Sequence, residues 1–309
     1  MTTRQRYNSY VGYFKKVYGQ RLQKVVIDGG FTCPNRDGSI STGGCTYCDN
    51  SAFHPGYSTP NIPILTQIDE GIKFHKVRYR NAERFLAYFQ PYSNTYAPLE
   101  RLKVLYEEAL SHPQVAGIVI GTRPDCVDEQ KLDYLAKLAE NHIVIVEYGI
   151  ESCYDRTLER INRGHTFEQA RRALEMTAER GIRQGAHFIF GLPGESVQDM
   201  IDSASIINTL PLHSVKFHQL QIVRGTAMEE EFVQKRDDFV TFALDEYIDF
   251  FVSFLERLRP DIYIERFAGE VPPRFLNTIP WGMIRNVELV RMLEKRLEEL
   301  DTWQGRLLE

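Results

Sequence analysis

The sequence has no run of apolar residues long enough to cross a membrane, and its first ten residues are largely polar. No apolar segment of the signal-peptide type is present there, so we expect a cytoplasmic protein without a secretory signal. The chain also lacks the Walker lysine motif, His-Glu-x-x-His and Gly-x-Ser-x-Gly. These absences disfavour phosphate-loop hydrolases, zincins and serine hydrolases.

A large excess of either charge is missing as well. The 309 residues carry 37 Lys and Arg against 42 Asp and Glu, a net charge of −5, so the overall charge gives no reason to expect nucleic acid as a partner. Residues 1–30 and 71–84 are nevertheless basic, and they could contact phosphates or form ordinary solvated faces. The basic residues of these two segments are Arg4, Arg6, Lys15, Lys16, Arg21, Lys24, Lys73, Lys76, Arg78, Arg80 and Arg84.

Cysteine is scarce and unevenly placed. The five cysteines, an odd number, do not form the pattern of a disulfide framework, and free thiols fit a reducing cytoplasm. Three of them, Cys33, Cys45 and Cys48, follow the first predicted strand and are separated by eleven and two residues. Three thiolates are one too few to ligate every iron of a four-iron cube, which leaves one iron open for a small molecule.

The same three cysteines also allow a zinc site. A zinc ion could be held by Cys45 and Cys48, with Cys33 and His54 as the other ligands. Zinc knuckles usually pair two dicysteine turns, whereas this chain has one such turn. The spacing therefore favours an iron–sulfur cluster and leaves zinc as the alternative.

Short apolar runs alternate with amphipathic stretches over the first two thirds of the chain. The predicted strands are residues 24–28, 84–90, 117–122, 142–148, 185–190 and 214–222, and the predicted helices are residues 66–80, 98–110, 127–141, 166–180 and 196–210. Residues 115–120 and 143–146 are rich in β-branched side chains, as in parallel strands buried on both faces. The alternation predicts right-handed βαβ units with too few strands for a closed eight-stranded barrel. An open partial barrel and a doubly wound sheet both remain possible.

The strand–helix rhythm ends near residue 224. A long helix with an aromatic face is predicted at residues 237–258, then a short apolar run at 262–264, a proline-rich loop and a charged helix at 286–301. The predicted parts of the chain are an N-terminal extension (1–23), a barrel (24–225) and a C-terminal extension packed on the barrel (226–309).

A three-cysteine loop after the first strand of a six-fold βα pattern resembles the radical S-adenosylmethionine (SAM) superfamily. Its members commonly have the spacing C-x3-C-x2-C with an aromatic residue before the last cysteine. This chain keeps the second gap and has Tyr47 at the aromatic position, but its first gap is eleven residues. A long first gap, with Asn-Arg-Gly-His-Thr at residues 162–166, is similar to the branch that includes the Elongator catalytic subunit and a group of bacterial radical SAM proteins.

The resemblance implies a fold, cofactors and a type of reaction. The implied fold is α/β, a partial (βα)6 TIM-like barrel with a C-terminal helical extension. Cys33, Cys45 and Cys48 would hold a [4Fe-4S] cluster, and SAM would bind its open iron. Reductive cleavage of SAM would yield a 5′-deoxyadenosyl radical that abstracts hydrogen from the substrate. A reductase or a donor of the flavodoxin or ferredoxin type would supply the electron.

Cofactor-binding residues are implied by their positions at strand ends, where parallel α/β folds bind ligands. Gln90, Ser93 and Asn94 stand where the family binds the SAM amino group, although its usual Gly-Gly-Glu is absent. Glu147 stands where a carboxylate can accept hydrogen bonds from ribose. Glu151 is the alternative at this position, unless it caps the next helix.

The remaining implied contacts involve the last strand ends and residues 162–166. Arg163 would grip the SAM carboxylate with its two-pronged guanidinium; otherwise it is a surface arginine before a helix cap at Thr166. Ile189 and Gly191 partly match a Gly-x-Ile-x-Gly pattern that lies against adenine. Tyr47 could place its ring beside the ligand of the open iron.

Four further polar residues at predicted strand ends have open roles. Arg123 and Asp125 form a charged pair that could reach the substrate. Cys126 is either a small buried residue or a hydrogen donor. His218 is either a proton carrier or an interior histidine.

The resemblance also implies a substrate. Members of the Elongator-like branch act at or near a tRNA wobble uridine, and a plausible reaction remodels a side chain at uridine C5, for example carboxymethylaminomethyl to aminomethyl. The alternatives are a radical SAM enzyme acting on a small metabolite and, in another class, a non-catalytic zinc-binding protein that binds nucleic acid. The sequence indicates no membrane partner and no particular oligomeric state.

Overall fold

The computed structural model describes residues 5–50, 55–78, 82–278, 281–282 and 284–308. Arg4, His54 and Arg80 lie outside these residues, as does the side chain of Arg78. His54, the fourth zinc ligand suggested by the sequence, therefore has no described position. The same holds for part of the two basic segments.

A single parallel sheet organises the described chain. Its strands are β1 (Gln23–Ile27), β2 (Phe85–Phe89), β3 (Val115–Thr122), β4 (Ile143–Glu151), β5 (Arg183–Phe190), β6 (Ser214–Gln219) and β7 (Tyr263–Arg266). Each strand pairs in parallel with the next one along the chain, so the order in the sheet is the order in the sequence. A doubly wound sheet reverses its strand order at a switch point, whereas a barrel does not. The predicted partial TIM-like barrel is therefore confirmed.

The sheet contains one strand more than the six predicted. β7 comes from the apolar run at 262–264 and pairs with β6 through Ser214–Tyr263 and Val215–Ile264. The six predicted strands are present with ends that shift by a few residues. The seventh strand brings the C-terminal part of the chain to the edge of the sheet.

Ten helices accompany the sheet in the described residues. They are α1 (Tyr10–Tyr18), α2 (Ile64–Arg78), α3 (Leu99–Leu110), α4 (Glu129–Ala139), α5 (Asp155–Arg160), α6 (Phe167–Glu179), α7 (Val197–Ile207), α8 (Ala227–Gln234), α9 (Leu244–Leu255) and α10 (Asn286–Glu299). The sequence predicted six of these close to their observed bounds and missed the short helices α1, α5 and α8. It also predicted a longer helix in place of α9.

Burial and capping explain why these segments form their elements. Every residue of β2, β3 and β4 is buried, which accounts for their continuous apolar composition. Thr166 caps α6 with its side chain and forms a capping box with Gln169, and Ser196 does the same with Asp199 at α7. The helix cap predicted at Thr166 is confirmed.

α1 closes the amino-terminal end of the half-barrel. Tyr10 and Phe14 pack in one apolar cluster with Leu86, Val119 and Ile145 from the early parts of the strands. Lys15 and Lys16 belong to this same helix. They therefore lie at the opposite edge of the sheet from the carboxyl ends of the strands.

The aromatic helix in the C-terminal part begins later than predicted. Residues 236–238 form a separate 3-10 turn, because Asp238 pairs with Arg160 and its carbonyl accepts a hydrogen bond from the Gly194 amide at 2.9 Å. α9 then starts at Leu244 and buries an aromatic face against the outer side of the sheet. The contacts include ring-centroid distances of 4.9 Å for Phe190–Phe250 and 5.1 Å for Phe217–Phe254.

Membrane insertion finds no support among the described helices. None of them combines the length and the apolar character that crossing a bilayer requires.

Candidate active site

A large cleft lies at the carboxyl ends of the strands. Its empty volume is about 1420 Å³, including the part that opens to solvent. Its walls include Cys33, Arg36, Cys45, Tyr47, Cys48, Tyr88, Gln90, Tyr92, Ser93, Arg123, Glu147, Glu151, Arg163, His187, Ile189, Lys216, His218, Gln221 and Arg266. All seven strands lead into residues of this wall, so the site occupies the edge at which parallel α/β folds bind ligands.

The loop after β1 brings the three predicted cysteines to one cleft. Cys45 is buried, while Cys33 and Cys48 are partly exposed on the wall. The backbone turns tightly at both ends of the loop, since the Arg36 amide donates to the Cys33 carbonyl at 2.8 Å and the Cys48 amide donates to the Cys45 carbonyl at 3.0 Å. Gly44, beside Cys45, has a φ of +76°, a conformation that favours glycine.

Residues 162–166 brace this loop. The side-chain amide of Asn162 donates to the Gly44 carbonyl at 2.8 Å. Gly164 has a φ of +76°, and a Cβ atom there would lie 2.5 Å from Oδ1 of Asn35. The Asn-Arg-Gly-His-Thr sequence is therefore the partner surface of the cysteine loop, with the glycine needed for close approach.

Arg163 is buried at the cysteines, so the alternative of a surface arginine is wrong. Its Nη2 donates to the Gly149 carbonyl at 2.5 Å, and its Nη1 donates to the sulfur of Cys45 at 3.4 Å. A carboxylate oxygen of Glu151 lies 3.6 Å from Nη2. The Nε of Arg163 is buried and has no hydrogen-bond partner among the described residues.

The thiol of Cys48 is held in its protonated form when no metal is bound. Burial and the neighbouring Cys45 raise the pKa of Cys48 to about 11, against the opposing effect of Arg36. Burial also raises the pKa of Cys126 to about 12, which fits its interpretation as a small buried residue. Metal ligation by Cys48 would therefore release a proton.

The donor set fits a cluster better than a single metal ion. Within the described ranges, no three or more His, Cys, Asp or Glu side chains are gathered as ligands of one ion would be. Thiolates on a four-iron cube each bind a different iron, so they lie farther apart than ligands that share one ion. Two buried guanidinium nitrogens on the wall, Nε of Arg163 and Nη1 of Arg123, have no partner among the described residues and fit an added anionic ligand.

The segment that follows β2 places two of the three predicted SAM-binding residues on the wall of the cleft. Gln90 and Ser93 lie on the wall. Asn94 does not line the cleft; its side-chain amide donates to the Gly121 carbonyl at 2.7 Å and joins the ends of β2 and β3. Asn94 therefore supports this part of the site from behind.

The two glutamates of β4 have different surroundings. Glu147 is buried, with one carboxylate oxygen held by Lys24 and the other 2.6 Å from Lys216 and 3.1 Å from His187. Burial raises the pKa of Glu147, but Lys216, Lys24 and His187 outweigh this and hold it well below the usual range. Glu147 thus has three partners already, and its predicted contact with ribose stays a prediction.

Glu151 does not cap the next helix. α5 has no side-chain cap, and the carboxylate of Glu151 instead faces Arg163 on the wall of the cleft. Its backbone has a φ of +76°, so β4 ends in a strained conformation at this residue. Glu151 is the more accessible of the two carboxylates.

Of the two residues predicted to contact adenine, one lines the cleft and the other lies behind its wall. Ile189 lines the cleft. Gly191 does not; it has a φ of +90°, its amide donates to the Met200 sulfur at 3.0 Å, and a Cβ atom there would lie 2.9 Å from the Val240 carbonyl. Gly191 therefore turns the chain after β5 and stays outside the cleft itself.

Arg123 and Asp125 form the predicted charged pair, with Nε donating to Oδ1 at 2.8 Å and Nη2 donating to Oδ2 at 2.7 Å. Arg123 is buried on the wall. His218 also lies on the wall, where burial, followed by Arg266, His187 and Lys216, holds its pKa well below the usual range. The ring of His218 is therefore neutral at physiological pH.

Several residues of the site were not predicted from the sequence. Arg36 donates to the Cys48 carbonyl at 2.6 Å, and Asn35 contacts the sulfur of Cys45 at 3.7 Å. Glu265 and Arg266 reach the site from β7. The charged and polar residues of the strands, Lys24, Glu147, His187, Lys216 and Glu265, could have indicated a buried charge network. That signal becomes visible only after β7, which carries Glu265, is recognised as a strand.

Family models match most of the chain. The model described as Radical SAM superfamily matches residues 36–207, and the one described as Radical_SAM C-terminal domain matches residues 212–299. The first match contains Cys45 and Cys48 and begins just after Cys33, so the role of Cys33 still depends on its place in the cleft.

Individual relatives agree with the family models. This chain is 33% identical to the uncharacterized protein MJ0486 of Methanocaldococcus jannaschii, over 95% of this chain and 89% of that protein. It is 31% identical to the uncharacterized protein YtqA of Bacillus subtilis over 99% of this chain and 94% of the relative. It is 27% identical to the tRNA uridine(34) acetyltransferase of Methanocaldococcus infernus, over 53% of this chain and 30% of that enzyme.

A solved structure shares the fold. The Methanocaldococcus infernus Elp3 with an N-terminal deletion superposes with a TM-score of 0.67 at 16% identity, covering 92% of this chain and 64% of that chain. The non-catalytic zinc-binding alternative is not supported, because the family is one of iron–sulfur enzymes. The chain belongs to the radical SAM superfamily and is an enzyme whose cofactors are a [4Fe-4S] cluster and SAM.

Proposed function

We propose that this radical SAM enzyme modifies a side chain at C5 of a tRNA wobble uridine, for example converting carboxymethylaminomethyl to aminomethyl. Hydrogen abstraction from the CH2 beside the carboxylate, return of one further electron to the cluster and hydrolysis of the resulting imine would release the two-carbon unit as glyoxylate and leave the aminomethyl group. The observation that carries the proposal is that the three cysteines share the wall of one cleft with tyrosines and arginines, side chains that can stack on a base and contact phosphates. The cleft opens to solvent at the carboxyl ends of the strands, so a larger molecule can present a nucleotide to it from outside.

The wall of the cleft suits a nucleotide. Tyr47, Tyr88 and Tyr92 provide aromatic surface, and Arg36 and Arg266 provide positive charge. Enzymes that act on a base within a nucleic acid take it out of its stack and hold it by stacking and polar contacts. The likeness to a tRNA uridine(34) acetyltransferase points to uridine as that base. Because the likeness spans under a third of that enzyme, acetyl transfer is not part of the proposal.

The cysteine loop and its neighbours would hold the cofactors. We assign Cys33, Cys45 and Cys48 to the cluster, which with SAM supplies the radical that abstracts hydrogen. Gln90, Ser93 and Ile189 line the cleft at the positions expected for SAM, and the unpartnered Nε of Arg163 is available to an anionic group of SAM. We place the ribose at Glu151 in preference to Glu147, since the carboxylate of Glu147 is enclosed by cations.

The basic segments seen in the sequence are not assigned to the mouth of the cleft. Lys24 is engaged by Glu147 and Glu265 inside the half-barrel. Lys15 and Lys16 lie on α1, at the other edge of the sheet. RNA at the active site would therefore depend on the arginines of the cleft.

The test uses anoxically purified protein with SAM and a reductant. It is incubated with tRNA from a strain that lacks the corresponding gene, and the nucleosides are then analysed by mass spectrometry. The proposal predicts loss of a C5-modified uridine, appearance of its shortened product and formation of 5′-deoxyadenosine in equal amount. Unchanged tRNA, together with 5′-deoxyadenosine formation stimulated by a small-molecule extract, would instead support the metabolite alternative.

A further inference from the structure

Arg266, the last residue of β7, is a cation on the cleft wall without a counter-charge. It is partly buried, and neither an ion pair nor a hydrogen bond joins its guanidinium to another residue in the described part of the chain. A guanidinium on a cavity wall that has no protein partner stays open to an anionic group of a ligand. An arginine without such a partner, aimed at a ligand cavity, indicates that the ligand supplies the partner.

Two carboxylates on neighbouring parts of the half-barrel, Glu147 on β4 and Glu265 on β7, are already engaged by lysines. Glu265 lies 2.6 Å from Lys24 and 3.2 Å from Lys216, and Glu147 contacts the same two lysines. Lys24 and Lys216 thus balance Glu147 and Glu265 in charge. The charge of Arg266 is in excess of this network.

The pKa of His218 is lowered by burial and then by the same excess of positive charge. After burial, the strongest influence that lowers its pKa is Arg266, followed by His187 and Lys216. A ring that stays neutral under these conditions cannot add to the charge, but it can donate or accept one hydrogen bond. The surroundings of Arg266 therefore favour an anion and offer it a further polar contact.

The other arginines of the cleft are differently placed. Arg123 is paired with Asp125 and Arg163 lies beside Glu151, while Arg36 donates to the Cys48 carbonyl. β1, which leads into the cysteine loop, and β7 are the two edge strands of the sheet. Arg266 thus ends a different strand from β1 and β4, which lead to the cysteines and to Arg163, whereas the carboxylate of SAM is needed at the cysteines.

We propose that Arg266 binds an oxyanion of the substrate and so sets substrate choice. The inference rests on the proposed function and deepens it. A guanidinium binds carboxylate and phosphate alike in a two-pronged geometry. The oxyanion is either a carboxylate on the uridine side chain or a phosphate of the RNA backbone, and these two sources can be separated by experiment.

The experiment compares wild-type protein with Arg266→Gln, Arg266→Lys and a matched control, Arg291→Gln, on the exposed side of α10. Binding is measured anoxically with SAM present, using tRNA that carries carboxymethylaminomethyluridine and tRNA that carries aminomethyluridine. A side-chain carboxylate at Arg266 predicts that R266Q weakens binding of the first tRNA about 10- to 100-fold and leaves the second unchanged. R266K should recover part of the loss because it keeps the charge, and R291Q should bind as wild type does.

A phosphate at Arg266 predicts a different pattern. R266Q would then weaken both tRNAs equally and reduce the slope of log affinity against log salt concentration by about one. If R266Q binds both tRNAs as wild type does, while keeping the wild-type melting temperature, the proposal is wrong.

Failure of the proposed function would look different from failure of this inference. If the wild-type protein binds neither tRNA, the RNA substrate is wrong, and malonate then probes the anion site alone. A rise in melting temperature with malonate that is larger for wild type than for R266Q would support the anion site on Arg266 without tRNA. An equal rise for the two proteins would overturn it.

Discussion

Asn35 and Asn162 hold the cysteine loop against residues 162–166 by donating hydrogen bonds in both directions. Nδ2 of Asn35 donates to the Asn162 carbonyl at 2.5 Å and to the Arg163 carbonyl at 3.0 Å, and Nδ2 of Asn162 donates back to the Gly44 carbonyl at 2.8 Å. The same Asn35 nitrogen lies 3.7 Å from the sulfur of Cys45. One pair of amides therefore fixes the position of a proposed cluster ligand.

Removing either amide should loosen the cluster. Asn35→Ala leaves buried carbonyls without a donor, a loss of about 1–3 kcal/mol, and removes a donor to the sulfur of Cys45. We expect N35A and N162A to retain less iron per chain after gel filtration than wild type and to lose it faster to a chelator. Asn141, exposed at the end of α4, provides the control, and N141A should retain iron as wild type does. Equal chelation rates for N35A and N141A would contradict this role.

Arg163→Lys should weaken SAM binding. Lysine keeps the charge but cannot contact the Gly149 carbonyl and Cys45 together while presenting a third N–H toward a ligand. Loss of one charge-assisted hydrogen bond costs about 1.5–3 kcal/mol, so the Kd for SAM should rise by roughly 10- to 100-fold in anoxic calorimetry. Arg172 is exposed on α6, and R172K should bind SAM normally. Unchanged affinity in R163K would exclude Arg163 from the SAM site.

Lys216→Met should destabilise the fold strongly. Lys216 is buried and contacts Glu147 at 2.6 Å and Glu265 at 3.2 Å, so its loss leaves buried negative charge only partly compensated by Lys24. Removing one partner of a buried ion pair costs about 3–5 kcal/mol in free energy of unfolding. The matched control is K73M, because Lys73 pairs with Glu70 on the surface, where water screens the pair, and its loss should leave the free energy of unfolding nearly unchanged. Urea denaturation that gives similar values for the two variants would be inconsistent with this network.

Stability should fall as the pH is lowered through the weakly acidic range, partly because of His213. Its ring packs against Tyr13 and Tyr263 at centroid distances of 4.6 and 5.2 Å, and burial followed by Arg183 lowers its pKa from 6.5 to about 4. Between these values the unfolded chain binds the proton and the folded protein does not, so stability present above pH 6.5 is lost as the pH falls toward 4. The loss from this group is about 3 kcal/mol.

His213→Phe should therefore flatten the dependence of the free energy of unfolding on pH. Some slope will remain, because burial followed by Arg163 lowers the pKa of His165 to about 3. The exposed His142 provides the control, and H142F should keep the wild-type slope. A wild-type slope in H213F would show that the ring is protonated in the folded protein.

The sequence predicted the parts of the fold that local pattern determines. β3 and β4 were identified because their buried faces leave a continuous β-branched run. β7 was missed as a strand because two of its four residues, Glu265 and Arg266, are charged. The surroundings that accommodate these charges are known only once β6 has been placed beside β7. The late start of α9 depends on Asp238 contacting Arg160, a residue distant in the sequence.

The site was predictable to a similar extent. The cysteine spacing and the strand before it indicated the cleft at the end of β1. The resemblance to the radical SAM superfamily, carried over by position, implied Gln90, Ser93 and Ile189, which do lie on its wall. Burial of Arg163 and the engagement of Glu147 by Lys24, Lys216 and His187 arise from contacts between residues far apart in the chain. No local pattern carries that information, so these features required the structure.

Iron content and the visible spectrum of anoxically purified protein test the central claim most directly. If Cys33, Cys45 and Cys48 hold a four-iron cluster with one open iron, the wild-type protein should be brown with close to four Fe per chain. C45A should be colourless, and the control C153A, which replaces a buried cysteine away from the cleft, should keep its iron. One tightly bound Zn with negligible Fe, or full iron content in C45A, would contradict the account.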